Sequence, residues 1–576
     1  VLLGGLLLAG AASLAASFVP FSVLLAKVRI MSVSGRGTLF TPEFYRGMQM
    51  RLRLIGVANL AAGMVLFRLR RQMYEWARRV SADTLILAAD VRSAAKSLSA
   101  IDVVGLACLV LFAAVLRFRF LSQPMRDDEA LTFLEYSSHP FYVALSFYNL
   151  PNNHVFHTFL VRLAYLAFGD HAWSLRLPAL LAGLCLVPAT YAAARSLYRT
   201  SGALVAAALV ASSSMLIEFS TNARGYGMVC LLFMIMISVG AYALRHQNWA
   251  AWLLLAVVSA LGFYTIPIML YPFGGMVVWL LISIAIGDAQ PDARSAVLGL
   301  SVAIILTMLM AAEFYSPVLA ISGPRALFAN KWVAASPFPV VLERLPRSLV
   351  STWSGWNRDL PMWLTAMLAA GFVISLLLHR RFSLQRVPLA LALLLCVAPL
   401  VFLQRVIPFE RVWLFALPLY FIGAAAGLAM ALGPVLDRLR WRSAMVLIAV
   451  AVALFEGLRV ERSRSVYISN TSRGLPAVAA WLKGQLTSGD SILASQIADA
   501  PLRYYLRNEG VSSSYLGMPD REGPGPHRMF VVLNEVAGDT VERVCETAGR
   551  PHWDSSRAEL LQRYESTALY SVPEDH

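Results

Sequence analysis

Apolar residues run through this chain in long blocks rather than in the short periodic stripes of a water-soluble protein. A helix needs roughly 20 apolar residues to cross a ~30 Å hydrocarbon core, and such blocks recur down most of the 576 residues. From residue 101 onward they predict spans near 101–121, 176–197, 202–219, 224–243, 249–266, 269–286, 295–316, 361–379, 386–403, 411–432 and 443–459. Two further apolar runs, 1–25 and 52–67, precede them. The first lacks a basic leader and a clear small-residue cleavage site, so it reads as a membrane helix rather than a signal peptide.

The pattern changes twice. In 68–99, Arg68, Arg70, Arg71, Arg78, Arg79, Arg92 and Lys96 alternate with Leu, Val and Ala, as in a helix lying on an anionic cytoplasmic surface. Residues 463–576 carry strand-like runs at Ser491–Ser495 and Met529–Asn534, a helix-like Ala498–Arg507 between them, and a Gly/Pro turn at Glu522–Pro526. Three units follow: an N-terminal extension, 1–100, with one or two membrane helices and the basic stretch; a membrane body, 101–460; and a small soluble α/β domain, 461–576.

Composition supports the membrane reading: 58% of residues are hydrophobic and 14% charged, against about 25% charged in soluble proteins. The net charge of +15 does not point to nucleic acid, because the arginines cluster between apolar runs, as cytoplasmic loops do. Of the five cysteines, Cys108, Cys185, Cys230 and Cys396 lie in apolar runs and Cys545 in a polar stretch, with no disulfide framework or metal-type spacing.

The run 154–168 decides the sidedness of everything after it. If it crosses the membrane, Arg380, Arg381, Arg386, Arg438, Arg440 and Arg442 face outward, against the charge rule. It is short, and His154, His157 and Arg162 would be costly in hydrocarbon. The run is therefore expected along the interface. The segments 122–175, 220–226, 317–360 and 404–410 then share the outer face with the C-terminal domain.

That outer face holds the candidate chemistry. Asp127, Asp128 and Glu129 directly follow a span; they either complement the dipole of a helix over 129–137 or do chemistry. Asn152, Asn153, His154, His157 and Arg162 come next, then Phe168-Gly169, Arg176-Leu177-Pro178 and Ala223-Arg224-Gly225-Tyr226. This order of motifs, with Asp128-Glu129-Ala130 and Thr132 at its head, resembles the membrane glycosyltransferases of the GT-C superfamily that use polyprenyl-phosphate sugars. Protein O-mannosyltransferases and lipid A aminoarabinose transferases are among its members, and the chain looks most like the rhizobial lipopolysaccharide core transferases. The resemblance covers about 101–320, weakens toward 460, where Phe409-Glu410-Arg411 and Leu417-Pro418 remain similar, and is absent from 1–100.

The resemblance implies an all-α polytopic membrane protein with a small C-terminal soluble α/β domain, in a bacterial inner membrane with its site on the periplasmic side. The expected reaction is inverting transfer of a sugar from a polyprenyl-phosphate carrier to an envelope glycan, lipid-linked glycan or protein. A hydroxyl attacking an anomeric carbon needs a carboxylate base, and by position that is Asp128, with Asp127 or Glu129 able to share the role. The leaving phosphate needs cations or donors; the candidates are His154, Arg162, Arg176, Arg224, Arg405 and Arg411. Asn152, Asn153, Tyr226 and Glu410 are candidates for sugar or acceptor contacts.

Each has a plainer alternative. Interfacial arginines reach lipid headgroups, Pro-Asn-Asn makes ordinary turns, and Trp332, Trp353 and Trp356 suit an aromatic belt. No metal motif is present; Mg or Mn is compatible with Asp127, Asp128, Glu129 and His154 converging, and only some relatives use a divalent ion. A transporter or flippase of lipid-linked sugars is the rival class. It would show internal repeats and mid-membrane charges, whereas these acids sit in a loop.

Overall fold

The apolar blocks become helices because a chain in hydrocarbon must satisfy every backbone N–H and C=O internally. The computed structural model describes residues 2–31, 40–199, 202–290, 292–329, 334–436, 441–468, 471–487, 489–516, 528–547 and 555–573. Trp332, Arg438, Arg440 and the Glu522–Pro526 turn lie outside them.

The N-terminal extension is α1 (Leu2–Ala16), α2 (Phe21–Met31), α3 (Pro42–Arg68) and α4 (Arg70–Lys96). The body begins with α5 (Ala100–Leu121), followed by a loop carrying α6 (Asp127–Thr132), α7 (Phe141–Ser146) and α8 (Val155–Phe168). Then come α9 (Ala172–Leu197), α10 (Ala203–Ser212), α11 (Ser214–Glu218), α12 (Tyr226–Arg245), α13 (Trp249–Thr265), α14 (Leu270–Ala285) and α15 (Ala293–Phe314). Short α16 (Ser316–Ile321) and α17 (Pro324–Phe328) lead to α18 (Phe338–Trp356), α19 (Met362–Leu377), α20 (His379–Phe382) and α21 (Leu389–Gln404). The body closes with α22 (Ala416–Leu436), α23 (Trp441–Ser463) and α24 (Ser465–Ile468).

Among the described residues, six helices are long and apolar enough to cross a membrane, and shorter apolar helices pack between them. The chain is a multi-pass membrane protein. At 14 residues, α8 spans only ~21 Å at 1.5 Å per residue, which suits a helix along the interface. The run 1–25, expected as one helix, is two, divided at Pro20. The run 202–219 also breaks, at Ser213. Arg117 of α5, wholly buried, donates to Ala211 O (2.9 Å) and Val210 O (3.4 Å) and so satisfies carbonyls that the break frees.

The extension is tied to the body at both ends. α1 and α3 touch through glycines: a Cβ on Gly56 would lie 3.0 Å from Gly10 O, a close approach that only small residues permit. Arg51 Nε of α3 donates to Ala320 O at 3.0 Å. α4 carries the predicted basic residues but docks by its acids: Asp83 accepts from Trp249 N (2.7 Å) and Asp90 from Tyr242 Oη (2.7 Å).

The C-terminal unit contains α25 (Leu475–Gln485), β1 (Ser491–Ala494), α26 (Gln496–Asn508), β2 (Arg528–Asn534), α27 (Val541–Thr547), β3 (Glu559–Tyr564) and β4 (Thr567–Pro573). Its sheet has the order β1-β2-β4-β3, with β1 and β2 parallel and the other pairs antiparallel. α25 and α26 cover one face over Ile492, Phe530 and Val532; α27 covers the other over Met529, Val531 and Leu533. Burial on both faces explains why β2 reads as an unbroken apolar run. Ala500 and Tyr504 of α26 pack with Met125, Ala130 and Phe133, and Met125 N donates to Tyr505 Oη at 2.9 Å. The unit therefore sits directly on α6.

Candidate active site

The three adjacent acids have different fates because consecutive helical residues point about 100° apart. α6 starts at Asp127, two residues before the predicted start, and all three acids stand in its first turn. Glu129 turns inward. It is fully buried, accepts from Arg176 Nε (3.1 Å) and Nη2, from Ala223 N (2.8 Å) and from Arg126 N (2.9 Å). Burial would raise its carboxyl, but Arg176, Arg126 and the Ala223 N–H outweigh that and hold it below the usual range. Arg176 also donates to Leu121 O and Gln123 O. Glu129 and Arg176 thus pin together the end of α5, α6, α9 and the turn before α12.

Asp128 turns outward. Its Oδ2 lies 3.5 Å from Arg411 Nη1 and 3.9 Å from Arg224 Nη2, with the side chain 32% exposed. Its carbonyl accepts from Asn152 Nδ2 at 3.0 Å and Thr132 Oγ1 at 2.8 Å. Arg224 Nη1 donates to Thr132 Oγ1 and Asn152 O, both at 2.9 Å, so α6 and the turn after Leu150 fix its plane. Tyr226 bonds Arg411 and meets the His154 ring edge-on at 5.0 Å.

His154 completes the cluster. Gly225 N donates to its Nδ1 at 2.9 Å, and Nε2 lies 3.2 Å from Arg224 Nη2. Burial and Arg224 hold the ring far below its ordinary pKa, hence neutral. Because Nδ1 accepts, the proton sits on Nε2, and two donors, Nε2–H and the Arg224 guanidinium, stand side by side. One oxygen of an anion can accept from both. Gly225 is needed here, since a Cβ on it would lie 3.3 Å from His154 Nδ1 and 2.6 Å from Thr265 Cγ2.

Asp127, Asp128, Asn152, His154, Arg224, Tyr226 and Arg411 all line one cavity of about 1610 Å³. Below them its wall is apolar, with Phe263, Ile268, Met308, Ala311 and Leu319 from α13 to α16. Above them the wall belongs to the C-terminal unit. The Asp127 carboxyl is pushed up to about 7 by burial, then by Asp128 and Asp499, with Arg224 opposing. The basic loops lie at the other end of the bundle, where the end of α9 meets the segment after α20: Leu384 N donates to Leu197 O at 2.8 Å and Arg199 N to Phe382 O at 2.9 Å.

A family model described as dolichyl-phosphate-mannose-protein mannosyltransferase matches residues 152–319. The solved structure of ArnT from Cupriavidus metallidurans in the apo state aligns with a TM-score of 0.51 at 15% identity, covering 81% of this chain and 97% of that one. The same protein bound to undecaprenyl phosphate aligns at 0.50 and 16%, covering 82% and 98%. The chain has the GT-C fold. Among curated proteins, none matches the sequence.

Within this GT-C body, the other residues singled out from the sequence stand outside the cavity wall. Asn153 donates to Ala144 O and Phe147 O, holding the turn before α8. Arg162 donates to Ser138 O and stacks on Tyr165. Arg405 is a left-handed helix cap whose carbonyl accepts from Ser336 N. Glu410 accepts from Ser351 Oγ. Trp353 and Trp356 pack on Tyr420 rather than toward a sugar site. These placements correct the sequence reading: Glu129, Asn153, Arg162, Arg176 and Glu410 are held by the fold's own hydrogen bonds, and Arg405 stands outside the cavity wall with its backbone capping α21. Among the described residues, no group of three or more His, Cys, Asp and Glu side chains could hold a metal ion. Sequence reasoning missed Tyr148, Tyr271, Tyr315 and Gln404 of the wall, and Gln496, Asp499, Arg503 and Arg543 of its roof.

Proposed function

We propose that the chain is an inverting glycosyltransferase that moves one sugar from a polyprenyl-phosphate carrier to a cell-envelope acceptor on the outer face of the membrane. One observation carries this reading: Asp128 and two guanidinium groups meet where an apolar membrane groove opens into a polar chamber. The groove suits a polyprenyl tail. The Nε2–H of His154 and the guanidinium groups of Arg224 and Arg411 suit the phosphate, as charge-assisted donors to a doubly charged leaving group. The family description and the lipid phosphate bound in the ArnT structure support the carrier class.

In the reaction, the acceptor oxygen bonds to the anomeric carbon as the carbon–oxygen bond to phosphate breaks. The hydroxyl proton passes to Asp128, the bonding pair leaves on the phosphate, and displacement from the opposite face inverts the centre. Asn152 and Thr132 hold the Asp128 backbone, and Glu129 with Arg176 holds the segment that bears Arg224. The basic clusters at the far end of the bundle support an outer, periplasmic position for the cavity under the positive-inside rule.

The test is transfer by purified protein in proteoliposomes from a panel of radiolabelled polyprenyl-phosphate sugars to envelope fractions. Label is expected in an acceptor. Label that only changes leaflet, still attached to its lipid, would assign a flippase instead.

A further inference from the structure

The cavity has two unlike ends, and the polar one is not made by the membrane body. Gln496, Asp499 and Arg503 recur at i, i+3 and i+7 and so share one face of α26, while Leu502 and Leu506 are buried on the sheet. From α27 and the turn before it come Arg543 and Asp539. All five line the same chamber as Asp128. Arg503 Nε and Asp499 Oδ1 hold each other at 2.9 Å, fixing both planes. Asp539 Oδ2 is buried with no hydrogen-bond partner among the described residues, a vacancy that asks for a donor.

The chemistry of this set is selective. Amide, carboxylate and guanidinium groups are planar and bidentate, matching pairs of neighbouring hydroxyls that both donate and accept. Two aspartates balance two arginines, so the roof carries no net charge to draw a strongly anionic ligand. A peptide would be expected to add to a sheet edge; β1, the edge strand that lines the chamber, is already bridged at Ile492 by Leu516, and the other edge strand, β3, contributes nothing to the chamber wall.

We propose that the C-terminal unit supplies the acceptor subsite, with Gln496, Asp499, Arg503, Asp539 and Arg543 reading the hydroxyls of a polyhydroxylated glycan whose attacking oxygen faces Asp128. This rests on the glycosyltransferase reading for its orientation, and a binding measurement separates the two. Saturation-transfer NMR on the full chain in nanodiscs would use maltopentaose, cellopentaose, core oligosaccharide released from host envelope by mild acid, and a Ser/Thr-rich octapeptide. Gln496→Ala and Arg543→Ala alter exposed side chains, so folding should survive.

Binding of a glycan probe by the wild type, weakened at least tenfold in both variants and partly restored by Gln496→Asn, is the expected result. In the transfer assay the same variants should raise the acceptor KM tenfold or more and leave kcat and the donor KM unchanged. Equal glycan binding by wild type and variants, binding of the peptide alone, or binding of no glycan would overturn the subsite. Glycan binding that the variants lose, in a protein that transfers no sugar, would uphold the subsite and overturn the glycosyltransferase reading.

Discussion

His154 and Arg224 present two N–H donors to the cavity from nitrogens 3.2 Å apart, with the histidine locked in one tautomer by the Gly225 N–H. Neither group accepts from the other, so on the proposed reading the donor phosphate completes the pair. A hydrogen bond to a charged group contributes about 1.5–3 kcal/mol. His154→Ala should therefore weaken binding of undecaprenyl phosphate by roughly 10- to 100-fold, measured by ligand-induced thermal shift in detergent. Unchanged binding would remove His154 from the phosphate site.

Glu129 and Arg176 form the buried counterpart. Removing one member of a buried ion pair costs about 3–5 kcal/mol. Glu129→Gln should lower the melting temperature clearly and take activity with it, because Arg176 is left without its carboxylate partner. A variant with wild-type stability and no activity would instead return Glu129 to the chemistry.

Asp127 gives a pH signature. Its folded value of about 7 lies above the ordinary carboxylate range, so the folded state binds more protons than the unfolded one between about 4 and 7. The stabilisation is present at the acidic side of that window and is lost as pH rises through 7. The wild-type melting temperature should fall from pH 6 to pH 8 relative to Asp127→Asn. Parallel profiles would show that Asp127 does not titrate there.

The two arginines on Asp128 bear on metal dependence. A dication at Asp128 would be repelled by Arg224 and Arg411, which already supply positive charge at 3.9 and 3.5 Å. Transfer should persist in EDTA, without stimulation by added Mg or Mn. Loss in EDTA with recovery on adding either ion would overturn this assignment.

The helical spans and the loop bearing the acids were legible because hydrocarbon imposes length and apolarity on each helix. Asp128, His154 and Arg224 could be singled out because each stands at a helix start or turn within a recognisable order of motifs. The split between Asp128 and Glu129 was not legible: adjacent acids look alike until the helix start fixes which one faces inward. Arg176 looked like a free interfacial cation, yet it is used by a buried carboxylate, and Arg405 stands away from the cavity wall. The roof of the cavity left no local signal, since Gln496 and Arg503 acquire their meaning only when α26 docks against α6. The β3–β4 hairpin was missed too; its edge strand is largely exposed and has no clean alternation.

The most direct test of the account compares Asp128→Asn with wild type in steady-state transfer, with stability and donor binding measured alongside. Asn keeps the size of the side chain and removes the base, and a general base contributes about 10²–10⁴-fold in rate. The account predicts a loss of that order in kcat, with undecaprenyl phosphate still bound and the melting temperature held. Transfer at the wild-type rate by Asp128→Asn would contradict it.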